Sequence, residues 1–201
     1  MAHPARATTL IVLLAAAPLA AQSDGRPRFE AGLAYSTNLL EDANGTSVSY
    51  AVGPAIGAGY AWTLSPGTNA VLGARLSRSG VSIDYADGGS ESAGSGWVID
   101  ARAMLEREIG PCAAAERGCA TVHAGAGAVW ATGPDDVAPF TVDRGAMLAG
   151  EIGAAVRVAR GLPLFLTGAA QAFRLGGSTV GDPVRETGTV MRVILGVRHG
   201  R

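Results

Sequence analysis

The chain has 201 residues, of which 48% are hydrophobic, and its formal net charge at pH 7 is −1. This near-neutral balance argues against a nucleic-acid-binding protein, which carries a marked excess of basic residues. The 29 glycines disfavour long helices. Beyond the first 21 residues, no segment is apolar enough to predict a helix that crosses a membrane.

Residues 1–21 have the three parts of an export signal. Arg6 supplies the positive charge, residues 10–17 form the apolar run, and Leu19-Ala20-Ala21 places small residues at the cleavage point. The apolar run is too short to span a bilayer as a helix. We therefore predict a cleaved signal peptide, followed by one domain over residues 22–201.

The two cysteines, Cys112 and Cys119, lie close together in the sequence. An exported protein enters an oxidising compartment, so they are predicted to form a disulfide that closes a small loop. A metal site needs more ligands than these two residues. We predict no metal ion and no cofactor.

The rest of the chain contains runs of about ten residues in which apolar residues alternate with small or polar ones, the pattern of β-strands. In the fourth run, Trp97, Ile99 and Leu105 share one face. Asp100 and Arg102 lie on the other face. The eight predicted strands cover residues 28–39, 48–62, 70–79, 96–106, 120–131, 146–159, 164–174 and 187–199.

Three of these runs raise particular points. The second places Val48 and Tyr50 on the same apolar face as its later aromatic residues, with glycines opposite. The third loses its alternation after Leu76, which predicts a bulge near residues 78–80. In the seventh, Leu166 and its neighbour Phe165 compete for the apolar face, and the sequence leaves this choice open.

Alternation does not decide which face points inward. A soluble lipocalin-like barrel places its apolar face inside, whereas a membrane barrel turns it towards lipid. Here the other face consists mostly of Gly, Ala and Ser with a few charges, which is typical of the crowded lumen of an eight-stranded barrel. Its charges balance, as buried charges must. The predicted lumen ion-pair network contains Glu30, Asp100, Glu106, Glu151, Arg75, Arg102, Arg157 and Arg192.

The aromatic residues favour the membrane barrel. Tyr and Trp prefer the boundary between membrane and water, and with a periplasmic amino terminus almost all aromatic residues fall at strand ends, with Phe140 alone in a loop. The predicted external girdle contains Tyr35, Tyr50, Tyr85, Trp97, Trp130 and Phe173. The predicted periplasmic girdle contains Phe29, Tyr60, Trp62 and Phe165.

The predicted external loops, 40–47, 84–95, 132–144 and 175–186, are acidic. Their basic residues are Arg144 and Arg185. Their acidic residues are Glu41, Asp42, Asp84, Asp87, Glu91, Asp135, Asp136, Asp143, Asp182 and Glu186.

A leader followed by eight alternating runs over residues 28–199 resembles the small outer-membrane β-barrel proteins, the OmpA/OmpX-like group. The resemblance implies an all-β, eight-stranded antiparallel up-and-down transmembrane β-barrel in the outer membrane of a Gram-negative bacterium. It also implies contact with outer-membrane lipids and lipopolysaccharide, and insertion by the barrel-assembly machinery. We predict a monomer.

The function predicted from these features is structural or interactive. Side chains fill the interior of an eight-stranded barrel, so the acidic external loops are the expected functional surface. Two alternatives stay open: a soluble periplasmic lipocalin-like barrel that binds an apolar ligand, and a lipid-A-modifying barrel enzyme. The enzyme alternative needs a nucleophile beside a base, and His123 is followed two residues later by Gly125 rather than Ser. We therefore predict that the protein is not an enzyme.

Overall fold

The structure is a computed structural model, and it describes residues 25–42, 44–110, 119–134, 147–158, 164–173, 184–186 and 190–199. For residues 38–42 and 184–186 only the backbone is described. The predicted signal peptide, Cys112 and Phe140 lie outside the described residues. Within these ranges, no helix has the length and apolar character needed to cross a membrane.

The described chain forms eleven strands. The longer ones alternate between large apolar and small or polar residues, which is the pattern of a sheet with two different faces. Their bounds are β1 (Arg26–Ser36), β2 (Asn38–Asp42), β3 (Ser47–Tyr50), β4 (Gly53–Ser65), β5 (Thr68–Asp84), β6 (Ser90–Ile109), β7 (Ala120–Ala131), β8 (Met147–Arg157), β9 (Leu164–Phe173), β10 (Val184–Glu186) and β11 (Val190–His199).

Eight of these strands close into a ring. Around the ring the order is β1, β4, β5, β6, β7, β8, β9 and β11, and β11 pairs with β1 to close it. Every pairing is antiparallel. A closed ring leaves no free edge, so each strand can pair its backbone polar groups with neighbours on both sides. The predicted antiparallel up-and-down barrel of eight strands is confirmed.

We call the end of the barrel that holds Arg26 and His199 the terminal end, and the opposite end the loop end. At the loop end β2, β3 and β10 extend the wall in the order β10-β2-β3-β5. Strand β6 has 20 residues, compared with 10 in β9. A tilted strand crosses a membrane in about 9–11 residues, so the β5–β6 hairpin rises well beyond the rest of the ring. The assignment of residues 40–47, 84–95 and 175–186 to loops was partly wrong, because each range contains strand residues.

An extra residue between β3 and β4 reverses the alternation within the predicted second strand. Tyr50 pairs with Val81. Five residues later, Ala55 pairs with Ser77, which is only four residues from Val81. Such a bulge turns the later side chains to the opposite face. Tyr50 and Val48 consequently point inward, and their assignment to the outer apolar face was wrong.

A second bulge lies in the β5–β6 hairpin, slightly beyond the predicted position. The register shifts between Gly80 and Ser82 of β5. Their partners on β6 are Ser95 and Ser92, so β6 holds the extra residue. Gly94 occupies this point with a φ of 91°, a left-handed conformation that glycine adopts without a steric penalty.

The ring buries most of its charged residues and exposes most of its large apolar ones. Leu148 and Ile152 are 86% and 65% exposed on the outer surface, whereas Asp100 and Glu151 are 1% and 4% exposed inside. A soluble barrel with an apolar ligand site has the opposite arrangement, so the lipocalin-like alternative is not favoured. The core of this protein is the interior of the barrel.

Candidate functional site

Four charged side chains form a closed ring of ion pairs in the middle of the lumen. Arg75 of β5 contacts both Glu30 of β1 and Glu151 of β8, with N–O distances of 3.2 Å and 3.0 Å. Arg102 of β6 contacts the same two carboxylates at 2.6 Å and 3.1 Å. Two positive and two negative charges therefore neutralise one another, which offsets part of the free energy needed to remove them from water.

Glycines on the neighbouring strands make room for these long side chains. Gly57 lies between Glu30 and Arg75 in the sheet, so no side chain separates the two. Gly127 pairs with Arg102, and a Cβ atom there would lie 2.0 Å from the carbonyl oxygen of Ala101. The small residues of the inner face thus allow the charged residues to reach across the lumen.

The ion-pair ring continues towards the loop end through Arg192 of β11. Its Nη1 donates to Asp100 Oδ2 at 3.1 Å and to Gln171 Oε1 at 3.2 Å. Its Nη2 donates to the Ser77 hydroxyl. Asp100 in turn lies 3.7 Å from Arg75 Nη1, which joins this group to the four-residue ring. Charged and polar side chains from six strands of the ring therefore meet in one connected network.

His123 lies inside this network. Its Nε2 is 3.4 Å from Glu151 Oε1, and its side chain is buried. Gly153, which pairs with His123 on β8, would place a Cβ atom 2.5 Å from the imidazole ring. The histidine considered for the enzyme alternative thus faces a lumen carboxylate.

A second charged group fills the lumen at the terminal end. Arg28 donates to both carboxylate oxygens of Glu106, at 2.8 Å and 2.6 Å. Arg198 donates to the same carboxylate, and its Nη2 reaches Thr121 Oγ1 at 3.2 Å. One acid therefore binds two guanidinium groups. A cavity of about 280 Å³ leads from the terminal end to this group.

Phe165 also points into the lumen, so its assignment to the periplasmic girdle was wrong. It is 3% exposed and lies beneath two arginines. The guanidinium carbon of Arg198 is 4.8 Å from the ring centroid, and that of Arg157 is 5.4 Å from it. The face of an aromatic ring attracts cations, and this attraction favours the inward position. Leu166 points outward, which answers the question that the sequence left open for this strand.

The loop-end half of the lumen is apolar. Tyr50 and Phe173 are each 2% exposed and belong to a buried cluster, so neither is part of a girdle and both predictions were wrong. The Tyr50 hydroxyl donates to the carbonyl of Thr132 at 2.8 Å, which satisfies its polar end. The cluster contains Val48, Tyr50, Val81, Val98, Val129, Ala131, Met147, Ala149, Phe173 and Val190.

The other predicted girdle residues, with one exception, lie on the outer surface at the predicted ends. Tyr60 and Trp62 stack at the terminal end with ring centroids 6.2 Å apart. At the loop end, the Arg78 guanidinium lies 5.3 Å from the centre of the Trp97 ring. The outward aromatic residues are Phe29, Tyr60 and Trp62 at the terminal end, and Tyr35, Trp97 and Trp130 at the loop end.

Tyr85 is the exception. Arg78 of β5 pairs with Trp97 of β6. Tyr85 lies seven residues beyond Arg78 in the sequence. At about 3.3 Å per residue, this places Tyr85 about 23 Å farther along the strand. Its hydroxyl donates to Glu91 at 2.8 Å. This hydrogen bond and the negative charge of Glu91 raise the pKa of the Tyr85 phenol above its usual value. The residue belongs to the tip of the β5–β6 hairpin and not to a girdle.

All eight charged residues of the predicted network lie on the inner face. Sequence reasoning did not include Arg28, Arg198, His123 and Gln171 in that network. Arg28 lies two residues before Glu30, so the same alternation places it inside. Gln171 gave no such signal, because the alternation in its strand left open which face points inward.

The remaining predictions concern residues that the structure describes only in part. Cys119 is buried beside Phe165 and Ala155. Its disulfide with Cys112 stays a prediction. Several acidic loop residues lie outside the described ranges or have no described side chain. Among the described residues, no group of three or more His, Cys, Asp and Glu side chains could hold a metal ion.

No protein-family model and no curated protein matches this sequence. Among solved structures, the chain is similar to the outer membrane protein OprG from Pseudomonas aeruginosa, with 13% identity, a TM-score of 0.50, and coverage of 89% of this chain and 97% of that one. It is also similar to the outer membrane protein AlkL in DMPC lipid bilayers, with 16% identity, a TM-score of 0.53, and coverage of 90% of each chain. At such low identity the likeness concerns the fold alone. The chain has the fold of the small eight-stranded outer-membrane β-barrel proteins.

Proposed function

We propose that this protein is a closed outer-membrane barrel that acts as a scaffold for surface interactions through acidic segments at its loop end. The outward apolar residues match a lipid environment, and the barrel fold supports the outer membrane as its location. Lipopolysaccharide and outer-membrane lipids are its expected surroundings. Delivery by a cleaved signal peptide, insertion by the barrel-assembly machinery and a monomeric state belong to the same proposal.

The observation that carries this proposal is the filled lumen. The ion-pair ring around Arg75 and Glu151 occupies its middle, and the Arg28–Glu106 pair occupies its terminal end. The apolar cluster around Tyr50 fills the loop-end half. An eight-stranded barrel has an interior just wide enough for side chains, so these layers of described residues obstruct the passage of solutes.

Conductance measurements in planar lipid bilayers test whether the barrel is closed to solutes. The purified barrel is expected to give no stepwise increase in conductance above that of a protein-free bilayer, because the ion-paired side chains and the apolar cluster occupy its interior. A general diffusion porin inserted under the same conditions supplies the positive control. Reproducible conductance steps, obtained with protein whose folded state is verified by its heat-dependent gel mobility, would contradict the closed-barrel proposal.

The tip of the β5–β6 hairpin supports a role in surface interaction. Residues 79–96 contain Asp84, Asp87 and Glu91 but no basic residue. All three acids are exposed. Because the hairpin rises beyond the ring, these carboxylates stand clear of the membrane and attract cationic partners through their combined field. A basic peptide segment is the partner class that this charge favours.

Binding of an arginine hexapeptide to proteoliposomes tests this role. The triple variant Asp84→Asn, Asp87→Asn, Glu91→Gln is expected to weaken binding about tenfold at low salt, since three exposed charge contacts together contribute about 1.4 kcal/mol. Ser90→Ala is the control, because it changes the same hairpin without changing its charge. Equal affinity of the triple variant and the native protein would remove the acidic tip from the proposal.

A further inference from the structure

A groove of about 650 Å³ lies on the outer surface of the barrel near its terminal end. It is lined by the small residues Ala70, Ala103 and Ala124, next to the larger Trp62 and Leu105. Ala70 pairs with Leu105, and Leu105 with Ala124, so these residues share one face across three strands. Leu105 is exposed on that face, and the groove therefore opens away from the lumen.

Arg107 does not line this groove but is the next outward residue of β6 on its terminal-end side. It follows Leu105 by two residues on β6, so its side chain has the same outward direction, about 7 Å farther towards the terminal end. Its Nη1 donates to Thr68 Oγ1 at 2.5 Å and to the Pro66 carbonyl at 3.5 Å. Among the described residues both of its hydrogen bonds come from Nη1, so Nε and Nη2 remain for an anion.

The direction of Arg107 distinguishes it from the other arginines described at this end of the barrel. Those residues line the cavity at the mouth of the lumen and are Arg26, Arg28, Arg157 and Arg198. A cation beside an outward apolar groove has the two features of a site for an amphipathic anion. The apolar part of such a ligand fits the groove, and its acidic group fits the guanidinium, which presents paired donors to phosphate oxygens.

We propose that the groove and Arg107 bind one phospholipid, with an acyl chain along Ala103 and the phosphate at Arg107. This inference rests on the proposed membrane location and on a periplasmic terminal end, where the leaflet consists of phospholipid and not of lipopolysaccharide. Trp62 lines the groove at the level where indole rings favour the membrane boundary. The site lies outside the lumen and is independent of the ion-pair network.

Native mass spectrometry tests the proposal on the full barrel. The protein is reconstituted with phosphatidylethanolamine and phosphatidylglycerol, transferred to detergent and analysed for retained lipid. The native protein is expected to keep one phospholipid. Arg107→Gln removes the charge-assisted hydrogen bonds to phosphate and is expected to lower retention about tenfold. Ala103→Leu fills the groove and is expected to lower retention by about the same factor.

Matched controls separate this site from the general lipid-facing surface. Arg26→Gln removes an arginine at the lumen mouth, and Ala154→Leu enlarges an outward alanine on β8. Both are expected to retain the phospholipid. Equal retention in all variants, or a loss in Ala103→Leu without a loss in Arg107→Gln, would overturn the proposal. Heat-dependent gel mobility of the native protein reports barrel insertion separately, so failure of the membrane location is distinguishable from failure of the site.

Discussion

Replacing Glu151 by alanine is expected to lower the free energy of unfolding by about 3–5 kcal/mol, which is the typical effect of removing one partner from a buried ion pair. Glu151 contacts Arg75, Arg102 and His123, and it is 4% exposed. Without it, Glu30 is the one remaining carboxylate of the four-residue ring and faces both guanidinium groups. The lumen then holds a positive charge without a partner.

Urea titration of the barrel in lipid vesicles, followed by the gel mobility of the folded form, measures this effect. Glu151→Gln keeps the size of the side chain and isolates the contribution of the charge. Glu91→Gln is the control, since Glu91 is exposed at the hairpin tip and its loss is expected to change stability by less than about 0.5 kcal/mol. A change below about 1 kcal/mol in Glu151→Ala would be inconsistent with a buried network of paired charges.

An arginine in place of Ile152 is expected to destabilise the folded barrel by about 2–4 kcal/mol, the effect of a basic residue on the lipid face near the middle of the bilayer. Ile152 is the central residue of β8 and is 65% exposed on the outer surface. Hydrocarbon does not solvate a guanidinium group, so the new side chain must distort the surrounding lipid or reach for its boundary.

The same titration in lipid vesicles provides the measurement, with Ala86→Arg as the matched control. Ala86 is exposed at the tip of the β5–β6 hairpin, where an arginine meets water and is expected to change stability by less than about 0.5 kcal/mol. If Ile152→Arg were as stable as the native barrel, its surface would be in contact with water, and the transmembrane placement of the ring would be wrong.

The alternation of side chains along single strands was sufficient to predict much of the fold. Period-2 alternation is a local property of an extended backbone, so Trp97 and Asp100 were assigned to opposite faces without knowledge of their partners. The scarcity of charges on the small-residue face indicated that this face is the interior. The two faces of a strand follow from local geometry, and this is why the predicted strands approximate those of the structure, although the extensions at the loop end were not predicted.

The inward direction of three aromatic residues could not be predicted from the alternation along single strands. Tyr50 and Phe173 occur at strand ends, as girdle residues do, yet both point into the lumen. For Tyr50 the cause is one extra residue between β3 and β4. Gly53 and Pro54 lie at this point and are residue types that often mark a bulge, but they do not show which face Tyr50 takes. Phe165 faces inward because Arg157 and Arg198 lie over its ring, and these residues come from two other strands.

The sequence by itself determined the class of the barrel, the approximate strands and eight of the charged residues on the inner face, because all of these depend on neighbours along one strand. Only the tertiary structure decided which charges pair. Arg75 and Glu151 are 76 residues apart, and Arg28 and Glu106 are 78 apart. Such contacts cross the lumen, so they depend on the register of every intervening strand and on how the ring closes.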